Sequence, residues 1–409
     1  MKCRHCGHEL TRSFLDLGTA PASNAYLDES NLRSSEMWHP LRLLVCESCW
    51  LVQTEDYASR EDLFSPDYAY FSSYSSSWLA HAKGYVDAMV ERYALDACSR
   101  VVEVAANDGY LLQYVQERGI PCYGIEPTHS TAEAARSRGL SIYESFFGVE
   151  LATSLALNGL TADLMVANNV LAHVPDINDF LRGFALLLKP DGVATFEFPH
   201  LLRMVQESQF DTVYHEHYSY LSLHCLEQIF LRNGLQVFDV EQLTTHGGSL
   251  RLHTQRSDAG RRPVASAVPS LIAQERAAGI DSQAFYADFQ ARAIELKCQL
   301  LTFLLQARSA GQRVGAYGAA AKGNTLLNFA GVRPDLLPYV VDRNPAKQGK
   351  YLPGSRIPIV NEDHLRADRP DWVLLLPWNL ETELREQLAY VEDWGGKLIT
   401  TVKVGEVLP

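Results

Sequence analysis

The chain has 409 residues, of which 47% are hydrophobic and 21% are charged, so it is long enough for two or three domains with buried cores. Its formal net charge of -13 argues against nucleic acid as a partner, because proteins that bind nucleic acid usually carry a basic face. The sequence has no apolar run of about 18 residues and no apolar signal core after Met1, so we expect no membrane partner and predict a cytoplasmic location.

Two C-x-x-C pairs lie near the N-terminus, Cys3 with Cys6 and Cys46 with Cys49. Two residues between thiolates allow one tight turn to present both sulfurs to the same ion, and two such turns complete a tetrahedral site. In a reducing compartment such pairs indicate metal ligands rather than disulfides. We therefore predict a structural zinc ion with no open coordination position, which stabilises a lobe too small to fold on its own core.

The rest of the first hundred residues gives weaker signals. Residues 16–25 have turn chemistry and no helical period, so we predict a loop there. Residues 63–77 are rich in aromatic and hydroxyl side chains; the tyrosines, among them Tyr70 and Tyr74, could line a polar substrate pocket, or the run could be an exposed connector. An amphipathic pattern predicts a helix over residues 78–93.

A strand, a small-residue turn and a helix start follow one another in residues 101–115. The valine-rich run 101–104 suits a strand that is covered on both faces, and residues from Asn107 to Gly109 supply the turn. Within that strand Glu103 is costly to bury unless a partner satisfies it, and an amino-acid ammonium would do so. The unit is typical of nucleotide-binding sheets, with an ordinary α/β turn as the alternative.

The next strand, residues 122–125, ends at Glu126 and Pro127. An acidic side chain about 20 residues beyond a glycine turn is placed to bind the two hydroxyls of a ribose. A dinucleotide fingerprint would require three glycines, and only Gly109 is present. The pattern E-x-A-x-N-D-G followed by I-E-P instead resembles motifs I and II of class I S-adenosylmethionine-dependent methyltransferases.

That resemblance implies S-adenosylmethionine as the cofactor and a seven-stranded sheet over roughly residues 99–255. The fourth strand is predicted to end near Asn168 and His173, where ligands bind in open α/β sheets, and the fifth follows an L-K-P-x-G turn. The cofactor-binding residues that the motifs and this strand end indicate are Glu103, Ala105, Asn107, Gly109, Glu126, Pro127 and Asn168.

A second α/β unit is predicted after a linker over residues 257–270 and a long helical pattern over residues 281–310. It begins with a strand at residue 314 and a small-residue loop, from Gly318 through Lys322 to Asn324. Backbone amides at a helix start and the Lys322 ammonium would suit a diphosphate. Alternatively this unit could hold NAD, because Asp342 follows the next strand as a ribose ligand would.

Residues 212–221 concentrate more reactive groups than any other window of the sequence. In an extended chain His215 and His217 would face one side and Glu216 the other, unless the segment curls. The histidines could bind a metal, but H-x-H lacks a third ligand, or they could be satisfied core histidines. We prefer a general base in a substrate pocket, since imidazole titrates near neutrality.

Four motifs in this order, the paired C-x-x-C lobe, E-x-A-x-N-D-G, T-x-Y-H-E-H-x-S-Y and G-A-x-x-K-G-N-T-L-L, resemble the sugar C-methyltransferases of deoxysugar biosynthesis over nearly the whole chain. One departure is Ala105 and Ala106, where an E-x-G turn is expected. The resemblance implies C-methylation, most commonly at C3, of a nucleotide-linked 4-keto-deoxyhexose such as a dTDP-4-keto-6-deoxyhexose. Its catalytic residues would be His217 as base with Glu216, Tyr214, His173 and Tyr68 near the sugar.

The substrate-binding residues expected are Tyr70, Tyr74, His215, Tyr218, Gly318, Lys322, Asn324 and Asp342. The fold expected is α/β: a class I methyltransferase Rossmann-like domain between an N-terminal zinc-binding lobe and a C-terminal Rossmann-like α/β domain. The predicted domains are residues 1–75, the zinc-binding and substrate-contacting lobe; residues 76–256, the S-adenosylmethionine domain; and residues 257–409, the sugar-nucleotide domain. Three alternatives stay open: an NAD-dependent oxidoreductase, a methyltransferase that acts on a different small-molecule carbon acid, and a zinc-knuckle binding module. The sequence leaves the oligomeric state open, with a monomer as one option.

Overall fold

Three sheets organise the chain, and the computed structural model describes residues 1–57 and 71–407 of it. Tyr68 and Tyr70 therefore lie outside the described residues. Within the described ranges no helix combines the length and apolarity that a membrane crossing requires.

The first sheet is antiparallel, with the strand order β1-β2-β3-β9. Its strands are β1 Arg12–Ala20, β2 His39–Val45, β3 Val52–Thr54 and β9 Ser219–Tyr220. The last strand comes from far along the chain and pairs Val52 with Tyr220 and Gln53 with Ser219. The segment that follows His217 is thus part of the N-terminal lobe's sheet.

This lobe shares its core with both neighbouring units. Leu44 packs into a cluster that contains strands of the central sheet, whereas Leu43 and Val45 pack into a cluster with the C-terminal unit. Alternate residues of a strand point to opposite faces, so β2 is buried on both sides. Phe14 of β1 also stacks on Phe289, with ring centroids 4.8 Å apart.

The central sheet has seven strands in the order β10-β11-β8-β7-β4-β5-β6. Neighbours are parallel except at β11, which is antiparallel to both β10 and β8. The strands are β4 Val101–Val104, β5 Cys122–Ile125, β6 Ile142–Tyr143, β7 Ala162–Asn168, β8 Leu188–Pro199, β10 Leu235–Leu243 and β11 Ser249–Arg256. The strand order reverses between β4 and β7, and at such a reversal the carboxyl ends of the strands form a ligand crevice.

The helices of this part of the chain are α1 Ser76–Tyr93, α2 Leu112–Glu117, α3 His129–Ser137, α4 Val149–Leu157, α5 Ile177–Leu187, α6 Leu201–Gln206 and α7 Leu223–Arg232. The methyltransferase-like sheet predicted from the motifs is confirmed, with its seven strands in residues 101–256. The helix predicted for residues 78–93 is confirmed as α1.

The third sheet is parallel, with the order β14-β13-β12-β15-β16. Its strands are β12 Val314–Tyr317, β13 Val340–Val341, β14 Ile359–Val360, β15 Trp372–Leu375 and β16 Lys397–Thr400. The helices of this part are α8 Ala267–Ala277, α9 Gln283–Ala287, α10 Phe289–Ser309, α11 Ala321–Ala330, α12 Glu362–Asp368 and α13 Glu381–Gln387. The second Rossmann-like unit is therefore confirmed.

Several local predictions differ from the structure; the L-K-P-x-G turn predicted before the fifth strand, for example, lies inside β8, Leu188–Pro199. The loop predicted for residues 16–25 is wrong up to residue 20, because β1 extends to Ala20 around a register shift at Gly18, whose φ is 75°. The linker predicted for residues 257–270 ends in α8, which starts at residue 267 and has Leu271 in the core of the central sheet. Strand β14 was not predicted, because two residues are too few to show a period.

Candidate active site and zinc centre

The four cysteines converge, with sulfur atoms that all lie within 4.8 Å of one another. The Cys3 and Cys49 sulfurs are 3.6 Å apart, as are those of Cys6 and Cys46. A tetrahedron with metal–sulfur bonds of about 2.3 Å has edges of about 3.8 Å, so the set fits one zinc ion. The Gln53 amide donates to the Cys3 sulfur over 3.3 Å, a partner that would help to orient a thiolate ligand.

The turn after β4 and the end of β5 are joined by one carboxylate. Glu126, 5% exposed, accepts the amide N–H of Asn107 at 2.9 Å with one oxygen and that of Thr128 at 2.9 Å with the other. Burial raises the pKa of Glu126, and these amide bonds oppose the rise. Each carboxylate oxygen keeps a second lone pair, so the side chain can still accept hydrogen bonds from ribose hydroxyls.

Two polar side chains beside this turn lack hydrogen-bond partners in the described part of the chain. Glu103 is 1% exposed, and Asn168, at the end of β7, is 7% exposed; neither carboxylate oxygen and neither amide atom is bonded. Burial raises the pKa of Glu103 well above its usual value, against the lowering effect of Tyr110. A ligand would satisfy buried groups of this kind, and the ammonium and adenosine parts of S-adenosylmethionine would supply donors and acceptors.

The cofactor turn carries backbone strain. Ala105 has φ 59° and Asn107 has φ 49°, in the left-handed region that Gly109, with φ 78°, adopts without cost. At Ala105 the methyl group takes the place of the expected glycine hydrogen, and a non-glycine residue in this region costs about 1 kcal/mol. Pro127 lies half-buried at the end of β5, next to Glu126.

The segment before α1 binds directly to this turn. The Ser72 amide donates to the Asn107 side-chain oxygen at 2.9 Å, and the Ser73 hydroxyl donates to Asp108. Tyr74, one of the predicted pocket tyrosines, follows these serines but is 63% exposed and makes an edge contact with Phe71. The described end of the aromatic run is thus anchored to the cofactor turn by serines.

The segment with the two histidines curls into a turn. The His217 amide donates to the Tyr214 carbonyl at 2.9 Å, which closes a turn of four residues. The predicted common face of His215 and His217 is therefore wrong. His215 directs Nε2 toward the carbonyls of His39 and Pro40 in β2, both at 3.3 Å, so it faces the N-terminal lobe.

His217 is 8% exposed and lies in a defined tautomer. Its Nδ1 is 3.0 Å from the Thr212 carbonyl, which can only accept, so Nδ1 carries the proton. Nε2 then has a lone pair, and it accepts a hydrogen bond from the Tyr214 hydroxyl at 2.7 Å. Burial, reinforced by the neighbouring His173, lowers the pKa of His217 well below its usual value, so the ring is neutral and able to take a proton.

The other predicted catalytic side chains flank this pair. The His173 ring centroid lies 4.5 Å from that of His217, and burial lowers the pKa of His173 to about 4. Glu216, 1% exposed, bonds to the N-terminal lobe: one of its oxygens accepts from the Asn24 amide at 3.1 Å, and burial raises its pKa. The Thr212 carbonyl orients the imidazole.

Tyr218 is buried between its own segment and the N-terminal lobe. It is 3% exposed, its amide donates to the Ala172 carbonyl at 2.7 Å, and the Arg4 guanidinium lies 5.0 Å from its ring centroid. The Thr54 amide of β3 in turn donates to the Tyr218 carbonyl at 3.1 Å. These contacts bind the turn of residues 214–217 to the N-terminal lobe.

Two backbone amides in the small-residue loop of the C-terminal unit already have hydrogen-bond acceptors within the protein. The Ala319 amide donates to Asp342 at 2.8 Å, and the Ala320 amide to the Gly318 carbonyl at 2.8 Å. Gly318 has φ 91°, and a Cβ there would lie 2.5 Å from Pro377, so this glycine serves close packing. Asn324 is 1% exposed, and neither of its amide atoms has a partner in the described residues.

The Lys322 ammonium is directed to the turn after β15. It donates to the Asn379 side-chain oxygen at 2.6 Å and lies 4.5 Å from the centroid of the Trp378 ring. Burial lowers the pKa of Lys322 to about 8, partly opposed by Asp211.

Several residues of this site were not predicted from the sequence. Asn169 and His246, both with φ 54°, meet across the cleft with 3.2 Å between the Asn169 amide nitrogen and His246 Nε2. Trp78 makes an edge contact with His246, their ring centroids 5.1 Å apart. The Gly247–Gly248 pair was the only signal for an irregular backbone at His246. Thr212 acts through its backbone, which no side-chain pattern reveals.

Family models match most of the chain. A model described as "C-methyltransferase C-terminal domain" matches residues 244–403, one described as "Putative zinc binding domain" matches residues 3–64, and one described as "Methyltransferase domain" matches residues 78–240. Their order along the chain is that of the three sheets.

A curated relative matches the chain from end to end. It is the C-methyltransferase NovU of Streptomyces niveus, 32% identical over 407 residues, which are 100% of this chain and 96% of the relative. Solved structures resemble only part of the chain. The magnesium protoporphyrin IX methyltransferase of Synechocystis PCC 6803 is 15% identical over 44% of this chain and 83% of its own, with a TM-score of 0.35. An S-adenosylmethionine-dependent methyltransferase of Clostridium acetobutylicum is 12% identical over 44% and 92%, with a TM-score of 0.36.

Proposed function

The chain belongs to the C-methyltransferase family, as an S-adenosylmethionine-dependent enzyme with an N-terminal zinc-binding domain, and from that premise we propose its substrate. We propose that it methylates a carbon next to the ketone of a nucleotide-linked 4-keto-deoxy sugar, specifically C3 of a dTDP-4-keto-6-deoxyhexose. The single observation that carries this proposal is the Tyr214–His217 pair beside the carboxyl end of β7.

A carbon can be methylated only after it has become nucleophilic, and a ketone makes the neighbouring C–H bond acidic enough for a protein base to act on it. His217 fits that task because its ring is neutral, its Nδ1–H is held by Thr212, and its Nε2 carries the lone pair. We assign His217 as the base that removes the C3 proton. Tyr214 holds Nε2 at 2.7 Å and lies in the path that this proton takes.

The flanking groups position the sugar. Glu216 has one oxygen without a partner in the described residues, and that oxygen can bond a hydroxyl of the sugar. His173 is neutral at pH 7 and adjacent to His217, where it can bond the ketone side of the sugar. By family resemblance we also propose that Tyr68 contacts the sugar.

The cofactor-binding residues proposed are those of the β4 turn and the end of β5. Glu126 would bind the ribose hydroxyls, Glu103 the amino-acid ammonium, and Asn168 a polar edge of the ligand. Ala105, Asn107, Gly109 and Pro127 shape the turn that holds it. When bound, S-adenosylmethionine supplies an electrophilic methyl group on a positively charged sulfur.

For the nucleotide portion we propose the face between the N-terminal lobe and the C-terminal sheet. Asp342 fixes the Gly318 loop, and the first turn of α11 beyond it has amides without partners inside the helix, which suit a phosphate. Asn324 would bond a polar group of the substrate. Tyr70 and Tyr74 would contact the sugar nucleotide from the aromatic run, Tyr218 would support the turn from behind, and His215 is assigned to the lobe contact. Residues 1–75, 76–256 and 257–409 remain the domain boundaries we propose.

The test combines methyl transfer with proton exchange. The purified protein is incubated in deuterium oxide with 4-keto-6-deoxy sugars linked to dTDP, GDP or CDP, with 3-hydroxy or 3-amino groups, with and without S-adenosylmethionine, and products are read by mass spectrometry. We expect a gain of one methyl group, and deuterium at the carbon next to the ketone in the absence of cofactor. His217→Asn should lose both reactions, whereas His364→Asn, at an exposed histidine of α12, should lose neither.

Two results would contradict the proposal. A protein that methylates and exchanges none of these sugars does not use this substrate class. Near wild-type exchange in His217→Asn would remove His217 from the role of base.

A further inference from the structure

The C-terminal unit contributes a cation to the methyltransferase cleft. Lys322 lies in the first turn of α11, after β12, and its ammonium is held by Asn379 and the Trp378 ring in the turn after β15. Strands β12 and β15 are adjacent and parallel, so Lys322 and its two partners share the carboxyl edge of the third sheet. At that edge the C-terminal sheet meets the central one.

Trp378 joins this edge to the catalytic segment. Its indole nitrogen donates to Asp211 at 2.7 Å, one residue before the carbonyl that holds His217. The far side of the same ring packs on Gly247, where a Cβ would lie 2.5 Å from the indole. Trp378 therefore contacts both the turn that precedes His217 and the loop that carries His246, and it holds Lys322 beside them.

The histidines around this cation are neutral, and the cation is among the causes. Burial lowers the pKa of His246 to about 4, with Lys322 as the next largest cause, and Lys322 also contributes to the lowered pKa of His217. With its own pKa at about 8, Lys322 is mostly protonated at pH 7. The Lys322 ammonium thus supplies positive charge in this region, whereas the neighbouring neutral imidazoles supply none.

A phosphate-binding role for the Lys322 ammonium fits its contacts poorly. The loop amides of Ala319 and Ala320 are bonded within the protein, so the phosphate is assigned to the first-turn amides of α11. Lys347 is the cation at that loop, 2.8 Å from the Ala319 carbonyl and near the Tyr26 ring. Lys322 is instead held by Asn379 and by the Trp378 ring, which itself contacts Asp211 and Gly247.

We propose that Lys322 is a catalytic residue whose ammonium stabilises the oxyanion that forms on the substrate ketone when His217 removes the neighbouring proton. The inference rests on the proposed function. In this step the C–H bond breaks, its proton goes to the Tyr214 oxygen as that hydroxyl gives its own proton to His217, and the electron pair of the broken bond forms the carbon–carbon double bond. The carbonyl π pair moves onto the oxygen, and Lys322 meets the resulting negative charge without itself changing protonation.

Enolisation can be measured alone, as deuterium exchange at the carbon next to the ketone without cofactor. Lys322→Met and Lys322→Gln remove the charge, and the second keeps a donor for Asn379. Loss of one oxyanion donor costs about 10²–10³-fold in rate, so we expect that loss in the exchange rate at saturating sugar. Inhibition by the free nucleoside diphosphate should be unchanged.

The matched control is Lys397→Met, which removes a lysine 5.1 Å from the Trp372 ring in the same sheet. This variant should catalyse deuterium exchange at the wild-type rate.

The two substituted proteins should melt and bind cofactor as the wild type does. Weaker inhibition by the nucleoside diphosphate with an unchanged saturated exchange rate would overturn the inference and make Lys322 a phosphate ligand. If the wild type is active and the Lys322 variants change neither the saturated exchange rate nor the inhibition by nucleoside diphosphate, this inference is overturned but the proposed function is not. A wild type that neither exchanges nor methylates any sugar of the panel would overturn the proposed function as well.

Discussion

Tyr214→Phe tests how the proton reaches His217. A neutral imidazole has one lone pair, and in this chain the Tyr214 hydroxyl occupies it at 2.7 Å. A carbon-bound proton can therefore reach Nε2 only if the hydroxyl moves away or if it passes the proton on. We expect the second path, in which the phenol oxygen receives the substrate proton as it gives its own to His217.

The two paths predict changes of different size, and even of opposite sign, in the exchange rate of Tyr214→Phe. Loss of a proton-transfer group costs about 10²–10⁴-fold in rate, which is roughly 3–5 kcal/mol. Loss of a hydroxyl that only positions the ring costs about 0.5–1.5 kcal/mol, or roughly 2–13-fold. If His217 acts directly, the phenylalanine would even expose its lone pair. The ring contact, with centroids 4.0 Å apart, survives the substitution, so the fold should not change.

The assay is deuterium exchange next to the ketone at saturating sugar, with methyl transfer as a second readout and a melting curve as the folding control. We expect a loss of at least about 100-fold in exchange, which is the lower end for a proton-transfer group. A loss below about tenfold, or a faster exchange, would refute the relay and leave Tyr214 as a positioning residue.

Two further predictions concern the N-terminal lobe. Cys46→Ser should lose bound zinc, measured by metal analysis, and should melt at a lower temperature than Cys298→Ser, a control at an exposed cysteine; a stable variant with intact metal would count against the zinc site. His215→Gln should blunt acid destabilisation: burial lowers the pKa of His215 from 6.5 to about 4, so stability present above pH 6.5 is lost as pH falls toward 4, by up to about 3 kcal/mol. Urea unfolding at pH 7.5 and pH 5 measures the difference, and equal acid losses in the variant and the wild type would contradict the assignment.

The N-terminal lobe with the predicted zinc site also contacts the segment that carries His217. Cys46 and Cys49 flank the turn between β2 and β3, and β3 pairs with β9 directly after His217. The Thr54 hydroxyl also donates to the His217 carbonyl at 3.2 Å. Zinc loss should therefore lower stability and disturb the base together, and activity should fall in parallel with the folded fraction.

Local sequence determined the features that depend on neighbouring residues. The C-x-x-C spacing predicted the metal cluster, and the run from Val101 to Gly109 predicted a strand and turn, because each is formed within one or two turns of chain. The apolar runs likewise predicted strands of both α/β sheets. Glu126, after the second strand, was predicted to bind a ribose, and in the structure it bonds the turn after β4, a contact that the sequence did not predict.

Tertiary structure alone decided the side-chain partners in the proposed catalytic segment, residues 212–221. An extended-strand reading placed His215 and His217 together, but a hydrogen bond across the turn sends one to β2 and the other to Tyr214. The partner of His217 is a backbone carbonyl, which leaves no mark in a side-chain pattern. The partners of Lys322 were likewise not evident from its own segment. Its loop resembles a phosphate site, yet Trp378, 56 positions further along the chain, determines where the ammonium group lies. Side-chain direction depends on which distant segments pack against each residue, and spacing along one segment does not contain that information.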